Sequence, residues 1–500
     1  MNLTMLLDMV SEGMPDRVLI GDAKTGLTAA QLKDQAVAAS AFITAQEVDT
    51  VVFLGGNGPV FPVALFAAAY AGLPFLPLNY RLSNEQLEEI LSRQSNPLII
   101  TDSPDRAGDR NAVTDVDFIG HANQTVAEPV FIDFDPDSIA VLLMTSGTTA
   151  APKSAVLRHT HLTSYILGSV EFMSAEETDA TIVSVPPYHI AAVANLLSNL
   201  YAGRRIFYLD QFTAADWIAT VQDQGITNAM VVPTMLVRIV DELKRTGQEG
   251  PPSLRAMSYG GAKISPNVLS EALRLFPNTG FVNAYGLTET ASSIAVLGPD
   301  DHRDSVASTD PAIKARLGSV GRALPSVEIE VHDLDGNSAP PGEVGDIMVR
   351  GPQVAGEYLE AGSRIDANGW FPTRDRGWID EGGFIFVQGR SDDTIIRGGE
   401  NIAPSEIEDV LSAHEWVADC AIVGIPDEEW GQRIAAFVVP VPGFELDAGT
   451  LREWVRAKLR SAKTPDEIIF LDELPTTQTG KVLRRNLVRM VVEGLPAPPE

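Results

Sequence analysis

Apolar and polar blocks alternate along most of this chain. Short apolar runs read as strands buried on both faces: VVFLGG at 51–56, PLIITD at 97–102, IAVLLM at 139–144, TIVSVPP at 181–187, IFYL at 206–209, AMVVP at 229–233, LRAMSYGG at 254–261 and FVNAYG at 281–286. Helical stretches lie between them: AAVANLLSNLYAG ending at Gly203, the segment around Trp217, TMLVRIVDELK, and VLSEALRLF, for which Ser265 and Pro266 supply an N-cap and first-turn signal. The uncharged run 59–78 is long enough to span a bilayer, but Gly72, Pro74 and Pro77 break it. It reads as a buried helix over 59–71, with Pro59 in its first turn and Gly72 as C-cap, then a short strand. Such alternation predicts parallel sheets covered by helices, with ligand-holding loops at the strand C-termini.

Beyond about 310 the pattern changes. Turns such as DLDGNSAPPGE separate short β-like runs (VEIEV, DIMVRG, FIFVQG), which predicts an antiparallel barrel or meander. From GRSDD onward a last segment carries its own helix (SEIEDVLSAH), strands (CAIVGI, AAFVVP), helix (LREWVRAKL), strand (EIIFL) and terminal helix. The expected fold is α/β. A large N-terminal domain (1–389) has helix-covered, mostly parallel sheets and a β-barrel-like subdomain at about 310–389. A small, mobile C-terminal α+β domain (390–500) follows, with a hinge near 392. Within it, Ser405 after Pro404, with Glu408 three positions on, has the form of a capping box.

Composition narrows the function. The chain has 500 residues, 45% apolar and 21% charged, as in a soluble globular protein. Its net charge of −30 argues against nucleic acid or an anionic membrane surface as partner. In so acidic a chain an anionic ligand needs local cations, which draws attention to Lys153, Arg390, Arg397, Lys481, Arg484 and Arg485. The single cysteine, Cys420, excludes an intramolecular disulfide and suits a reducing compartment; inside VADCAIVGI it reads as a buried, inert thiol. The N-terminus lacks a basic segment, and Asp8 interrupts its apolar stretch, so no signal peptide is read there. A cytoplasmic enzyme is expected.

The first candidate chemistry lies at 145–153, TSGTTAAPK. Thr145, Ser146, Gly147, Thr148 and Thr149 follow a strand and end at Lys153. Little side-chain bulk intervenes, so hydroxyls and backbone N–H groups can converge on a polyanion. Pro152 before Lys153 separates this loop from the P-loop of nucleotide triphosphatases, which wants glycine there. Three further segments accompany it: YGLTET at 285–290, GRSDDTIIRGGENIAPSEIE at 389–408 and PTTQTGKVLRR at 475–485. In this order and at these separations the four resemble the adenylate-forming superfamily of acyl-CoA synthetases, firefly-type luciferases and nonribosomal adenylation domains, most closely the fatty-acid and aromatic-acid CoA ligases.

The resemblance implies a two-step reaction. A carboxylate attacks the α-phosphate of ATP, giving acyl-adenylate and pyrophosphate; a thiol, usually of coenzyme A, then displaces AMP. Bringing an anion onto a polyanion calls for positive charge and alignment more than for acid–base work. By this resemblance the 145–153 loop holds the departing phosphates, Tyr285, next to Gly286, lays its ring on adenine, Thr288 donates to the α-phosphate, and Glu289 holds Mg²⁺. Gly260, Gly261 and Ala262, in SYGGAK, let a flat group approach backbone. Asp375 corresponds to the ribose-binding aspartate and Arg390 to a second ribose contact. Asp392 matches the hinge, Gly398 and Gly399 suit approach by the pantetheine arm, and Lys481 is the catalytic lysine bridging carboxylate and α-phosphate. Arg484 and Arg485 could meet coenzyme A phosphates or form a solvated helix face.

His189, in VPPYHIAAV, matches a histidine beside the acyl pocket, with a structural histidine as the alternative. The aspartate by which amino-acid-activating domains hold an ammonium has no counterpart here. Segments 188–195, 233–238, 258–263 and 283–292, mostly small or apolar, are expected to line the pocket, which favours a fatty or aryl acid. The chain departs from the family at Ala150 and Arg374, where glycine is usual. The partners implied are a small carboxylic acid, ATP and coenzyme A, with no nucleic acid, no integral membrane segment, and room for a homodimer. The alternatives are transfer to a carrier protein or other acceptor, and a non-catalytic nucleotide-binding homologue.

Overall fold

The structure is a computed structural model and describes residues 1–124, 135–145, 153–444, 446–459, 461–477 and 480–494. Two large sheets form the body of the molecule. In the nine-stranded sheet, strands Gly280–Leu287, Ala256–Gly260, Asn228–Val231, Ala180–Val183, Arg205–Tyr208 and Val18–Ile20 run parallel in that spatial order, with antiparallel strands at both edges. The eight-stranded sheet has Ile139–Thr145, Phe75–Pro77, Thr50–Leu54, Pro97–Thr101 and Ala112–Val113 parallel; Lys153–Arg158, Glu357–Tyr358 and Gly362–Ser363 extend it antiparallel.

Burial on both faces explains the continuous apolar runs. In Thr50–Leu54, Val51 and Phe53 join the main core, whereas Val52 and Leu54 face a second core beside helix Asn84–Leu91. The main core also takes in helix Val60–Tyr70, buried from Phe61 to Ala69. That helix is the 59–71 segment, capped by Ala71 with Gly72 following at φ +70°. Among the described residues no helix is long and apolar enough to cross a membrane.

Strands Glu328–His332, Gly345–Arg350, Phe371–Ile379 and Ile385–Arg390 pair antiparallel in chain order, a meander. The last segment forms a separate small α+β unit. Strand Val417–Asp427 pairs antiparallel with Gly431–Pro440, which pairs parallel with Glu467–Phe470. One face of this sheet packs Cys420, Ile422 and Ile434 against helices Pro404–Ser412 and Ala448–Lys458. The other packs Ala421, Val423 and Phe437 against Leu487 of helix Arg484–Glu493. Burial pushes the Cys420 thiol up to about 12, as an inert core cysteine requires.

Two local expectations are corrected, and one further segment is placed. Ser265 stands at the N-cap of Pro266–Leu275 but makes no capping hydrogen bond. Helix Pro404–Ser412 is capped at Ala403, so Ser405 and Glu408 form no capping box. Tertiary partners take both side chains: Ser405 Oγ donates to the Gln388 carbonyl, and Glu408 Oε1 accepts from Ile422 N at 2.8 Å and Arg484 Nη1 at 2.7 Å. Finally, the run after Lys153 is a strand that returns along Ile139–Thr145, with Thr145 opposite Lys153. The 145–153 motif therefore joins an antiparallel pair.

Candidate active site

Ser146, Gly147, Thr148, Thr149 and Ala150 lie outside the described residues; Thr145 and Lys153 are the two ends of that segment. Lys153 opens strand Lys153–Arg158, and its Nζ lies 5.8 Å from the ring centroid of Tyr358. The Tyr358 hydroxyl donates to Glu289 Oε1 at 2.5 Å. One tyrosine thus joins Lys153, the end of the 145–153 motif, to the carboxylate of YGLTET. Next to it, Glu360 accepts from both Ser154 N (2.9 Å) and Ser154 Oγ (2.8 Å), which fixes the strand beside Lys153.

Thr288 and Glu289 sit in the 3-10 turn Thr288–Thr290 at the end of strand Gly280–Leu287. The turn is held by groups that sequence reading missed. Thr290 is fully buried, and its hydroxyl lies between the Leu287 and Ser292 carbonyls while accepting from Leu287 N. Gln353, also fully buried, donates to the carbonyls of Thr290 (3.1 Å) and Ser293 (2.8 Å), and its own oxygen accepts from Ser326. The Glu289 carbonyl accepts from Ala355 and Gly356. Buried amides so fully satisfied rigidify what they hold.

Asp375, on strand Phe371–Ile379, is 6% exposed. Its Oδ2 accepts from the Tyr285 hydroxyl at 2.6 Å, and its Oδ1 pairs with Arg390 Nε at 3.0 Å. Burial raises the Asp375 carboxyl, opposed by Arg390, Tyr285 and Lys481. Burial likewise raises the Tyr285 phenol well above its ordinary range, helped by Asp375. The Tyr285 ring packs against the apolar clusters around Ile294 and Ile347. Gly286 follows it in the strand, Gly260 ends strand Ala256–Gly260, and Gly261 and Ala262 form the bend beyond.

Lys481 comes to this region from the small unit. Its side chain is open to solvent yet crowded by protein, and desolvation, then Arg390, pull its ammonium down, while Asp393, Asp375 and Glu289 oppose the shift. The turn before it is pressed onto the large domain: Gly480 has φ +78°, and a Cβ there would stand 2.5 Å from Thr234. Only glycine fits both the backbone and the contact.

Most of the other sequence-selected residues have partners of their own. His189 is the N-cap residue of helix Ile190–Ala202, with its ring 4.6 Å from that of Tyr188; desolvation lowers it to about 4, so it is neutral at physiological pH. Gly398 and Gly399 (φ +57° and +85°) form the two-residue turn of hairpin Ile395–Arg397/Glu400–Ile402. Arg397 and Arg484 are taken by internal carboxylates, Arg397 by Asp466 and Arg484 by Glu408 and Asp393, so Arg484 is no solvated helix face. Arg485 is exposed.

The geometry therefore gathers Lys153, Glu289, Tyr285, Asp375, Arg390 and Lys481 from two domains into one electrostatic neighbourhood. Residues 7–359 match the model of the AMP-binding enzyme, and residues 406–481 that of the AMP-binding enzyme C-terminal domain. The chain belongs to the AMP-binding enzyme family.

Relatives within and around this AMP-binding family match nearly end to end. The chain is 31% identical to a feruloyl-CoA synthase of Amycolatopsis sp over 95% of its length and 96% of the relative's. It is 32% identical to a 2-succinylbenzoate–CoA ligase of Bacillus cereus, covering 96% of each. Among solved structures, the o-succinylbenzoate CoA synthetase (MenE) of Bacillus subtilis in complex with the acyl-adenylate intermediate OSB-AMP superposes with a TM-score of 0.83 at 28% identity, covering 96% of this chain and 97% of that one. ATP-bound MatB of Rhodopseudomonas palustris gives 0.85 at 26% identity, with 98% and 99% covered.

Proposed function

We propose that this AMP-binding enzyme activates a carboxylic acid with ATP and passes the acyl group to coenzyme A, as an AMP-forming acid–thiol ligase. The observation that carries this reading is the arrival of Lys481, from the small domain, among Asp375 and Glu289 of the large one, with Arg390 at the junction between them. In the first step a carboxylate oxygen bonds to the α-phosphorus of ATP and the bond to pyrophosphate breaks. From its place among Asp375 and Glu289 the Lys481 ammonium would neutralise both the incoming carboxylate and the phosphate. Thr288 would donate to the α-phosphate, Lys153 and the loop before it would hold the departing phosphates, and Asp375 and Arg390 would hold the ribose. In the second step the thiol sulfur bonds to the acyl carbon and AMP leaves.

Mg²⁺ fits Glu289. Tyr358 takes one carboxylate oxygen and leaves Oε2 for a cation. A hard cation takes oxygen ligands, so phosphates and water would complete its shell around Glu289. When bound, the ion would screen phosphate charge.

His189, which we assign to the acyl end, is neutral beside Tyr188, and this supports a fatty or aryl acid. Relatives named as feruloyl-CoA synthase and as fatty acid–[acyl-carrier-protein] ligase, the latter from Streptomyces coeruleorubidus, act on such acids by name. We also assign residues 1–389 and 390–500 as the two domains, the cytoplasm as compartment, and a homodimer as the assembly to test, which sedimentation of the purified chain reads directly.

A pyrophosphate-release screen over acids of graded length and ring content tests the reading. Acid-dependent pyrophosphate, and acyl-CoA once coenzyme A is added, are expected. Pyrophosphate and AMP without acyl-CoA would point to a carrier-protein acceptor. No pyrophosphate with any acid would leave a nucleotide-binding homologue without the activity.

A further inference from the structure

Residues Ser391–Asp393 form one 3-10 turn after strand Ile385–Arg390. Their side chains divide between the two domains. Ser391 Oγ donates at 3.0 Å to Asp346, on meander strand Gly345–Arg350. Asp392 pairs with Arg374 Nη1 at 3.7 Å, on strand Phe371–Ile379. Asp393 instead pairs at 3.3 Å with Arg484, which opens the terminal helix and is anchored to Glu408. The large domain holds the chain through residue 392, and the small domain takes it from residue 393.

Arg374 is the unusual member. Its φ of +62° lies in the left-handed region, where a side chain is strained. Nothing buried demands an arginine there, because its side chain is 48% exposed. Its neighbours carry the packing: Thr373 donates to the Ile347 carbonyl, and Asp375 is held by Tyr285 and Arg390. Backbone strain kept beside a site points to a use for the side chain that causes it. The guanidinium reaches one carboxylate in a described ion pair, and that carboxylate is Asp392 at the domain junction.

We propose that Arg374 is a positioning residue: its ion pair with Asp392 holds the 391–393 turn in the orientation that brings Lys481 among Asp375 and Glu289. The proposal rests on the two-step reading above. Both partners are about half exposed, and such pairs bias an equilibrium only by about two- to fivefold. That weakness suits a contact that must break between the half-reactions. The latch favours acyl-adenylate formation, and its release favours the reoriented domain.

Arg374→Gly removes the charge and relieves the backbone, so it is expected to fold at least as well as the parent. Arg374→Gly and Asp392→Asn should each speed thioester formation from presynthesised acyl-AMP and coenzyme A by about two- to fivefold. Each should leave the KM for ATP within about twofold, the size of the bias removed. The double variant should go no further than either single one, and the swapped pair R374D/D392R should restore the parental rate. A raised KM for ATP in Arg374→Gly alone would make Arg374 a nucleotide contact and overturn the latch. Unchanged rates in both single variants would overturn it too.

A readout independent of activity comes from fluorophores on V116C and V492C, both exposed positions, one on each domain. Transfer efficiency should shift in Arg374→Gly and return in R374D/D392R; an unshifted value sinks the latch even if no acid is ever activated. A parent that forms no acyl-AMP but shows the shift would sink the activity and keep the latch.

Discussion

Asp375 is almost fully buried, and both of its carboxylate oxygens are taken, by Tyr285 and by Arg390 at the domain junction, whereas Lys481 is open to solvent and follows Gly480, which rests on Thr234. The contrast extends outward. Glu289 stands on a turn locked by buried Thr290 and Gln353. The small domain meets the large one through exposed polar contacts such as Lys263–Asp409, and Asn267 with the Ser412 carbonyl. Buried, satisfied networks are costly to rearrange; exposed ion pairs contribute about 1 kcal/mol or less. On the proposed reading, one side of the site stays and the other leaves, as a reaction in two steps with different second substrates requires.

Breaking the fixed side should cost most. Asp375→Asn keeps the shape but loses the charge that pairs with Arg390, and should lower kcat/KM for ATP on the order of a hundredfold, the size of a lost charge-assisted contact. Steady-state kinetics at saturating acid read this; a loss below about threefold would mean that Asp375 does not face the nucleotide. A smaller effect is expected from Tyr358→Phe, which removes the hydrogen bond to Glu289. About tenfold more Mg²⁺ should be needed for half-maximal adenylation, as when an outer partner of a metal ligand is lost. An unchanged Mg²⁺ requirement would separate Tyr358 from the metal.

The mildest test uses pH. Burial holds His159 and His189, both in the large domain, at about 4. The unfolded chain, with a histidine pKa near about 6.5, takes up those protons more readily. Their contribution to stability is therefore complete above that value and is lost as pH falls through the window toward about 4. The urea midpoint of the parent should drop between neutral pH and the low end of that window, and His159→Gln should drop less. An equal drop would assign the pH response to other groups.

Much of this was legible in the sequence, for a physical reason. Parallel strands buried on both faces write continuous apolar runs, so Thr50–Leu54 and its neighbours stood out from periodicity alone. Lys153, Glu289, Asp375, Arg390 and Lys481 stood out as candidates because they lie in compact motifs with an ordered spacing. Tyr358 was not found, because its two-residue strand gains meaning only by pairing with Lys153–Arg158, far back in the chain. Gln353 was invisible for the same reason: its partners lie 63 and 60 residues away in sequence. Local signals misled where tertiary partners outbid them, as when Glu408 left a capping pattern for Arg484 and Ile422. Arg374 was noticed as a departure from glycine; its strained φ and its partner Asp392 needed coordinates.

Acid-dependent exchange of labelled pyrophosphate into ATP, compared between the parent and Lys481→Ala, tests the central claim most directly. The account predicts exchange with an apolar acid in the parent and its loss by at least about a hundredfold in the variant, as when a donor to developing charge is removed. Exchange that continues at the parental rate without Lys481 would contradict the claim that the small domain carries the adenylating charge into the site.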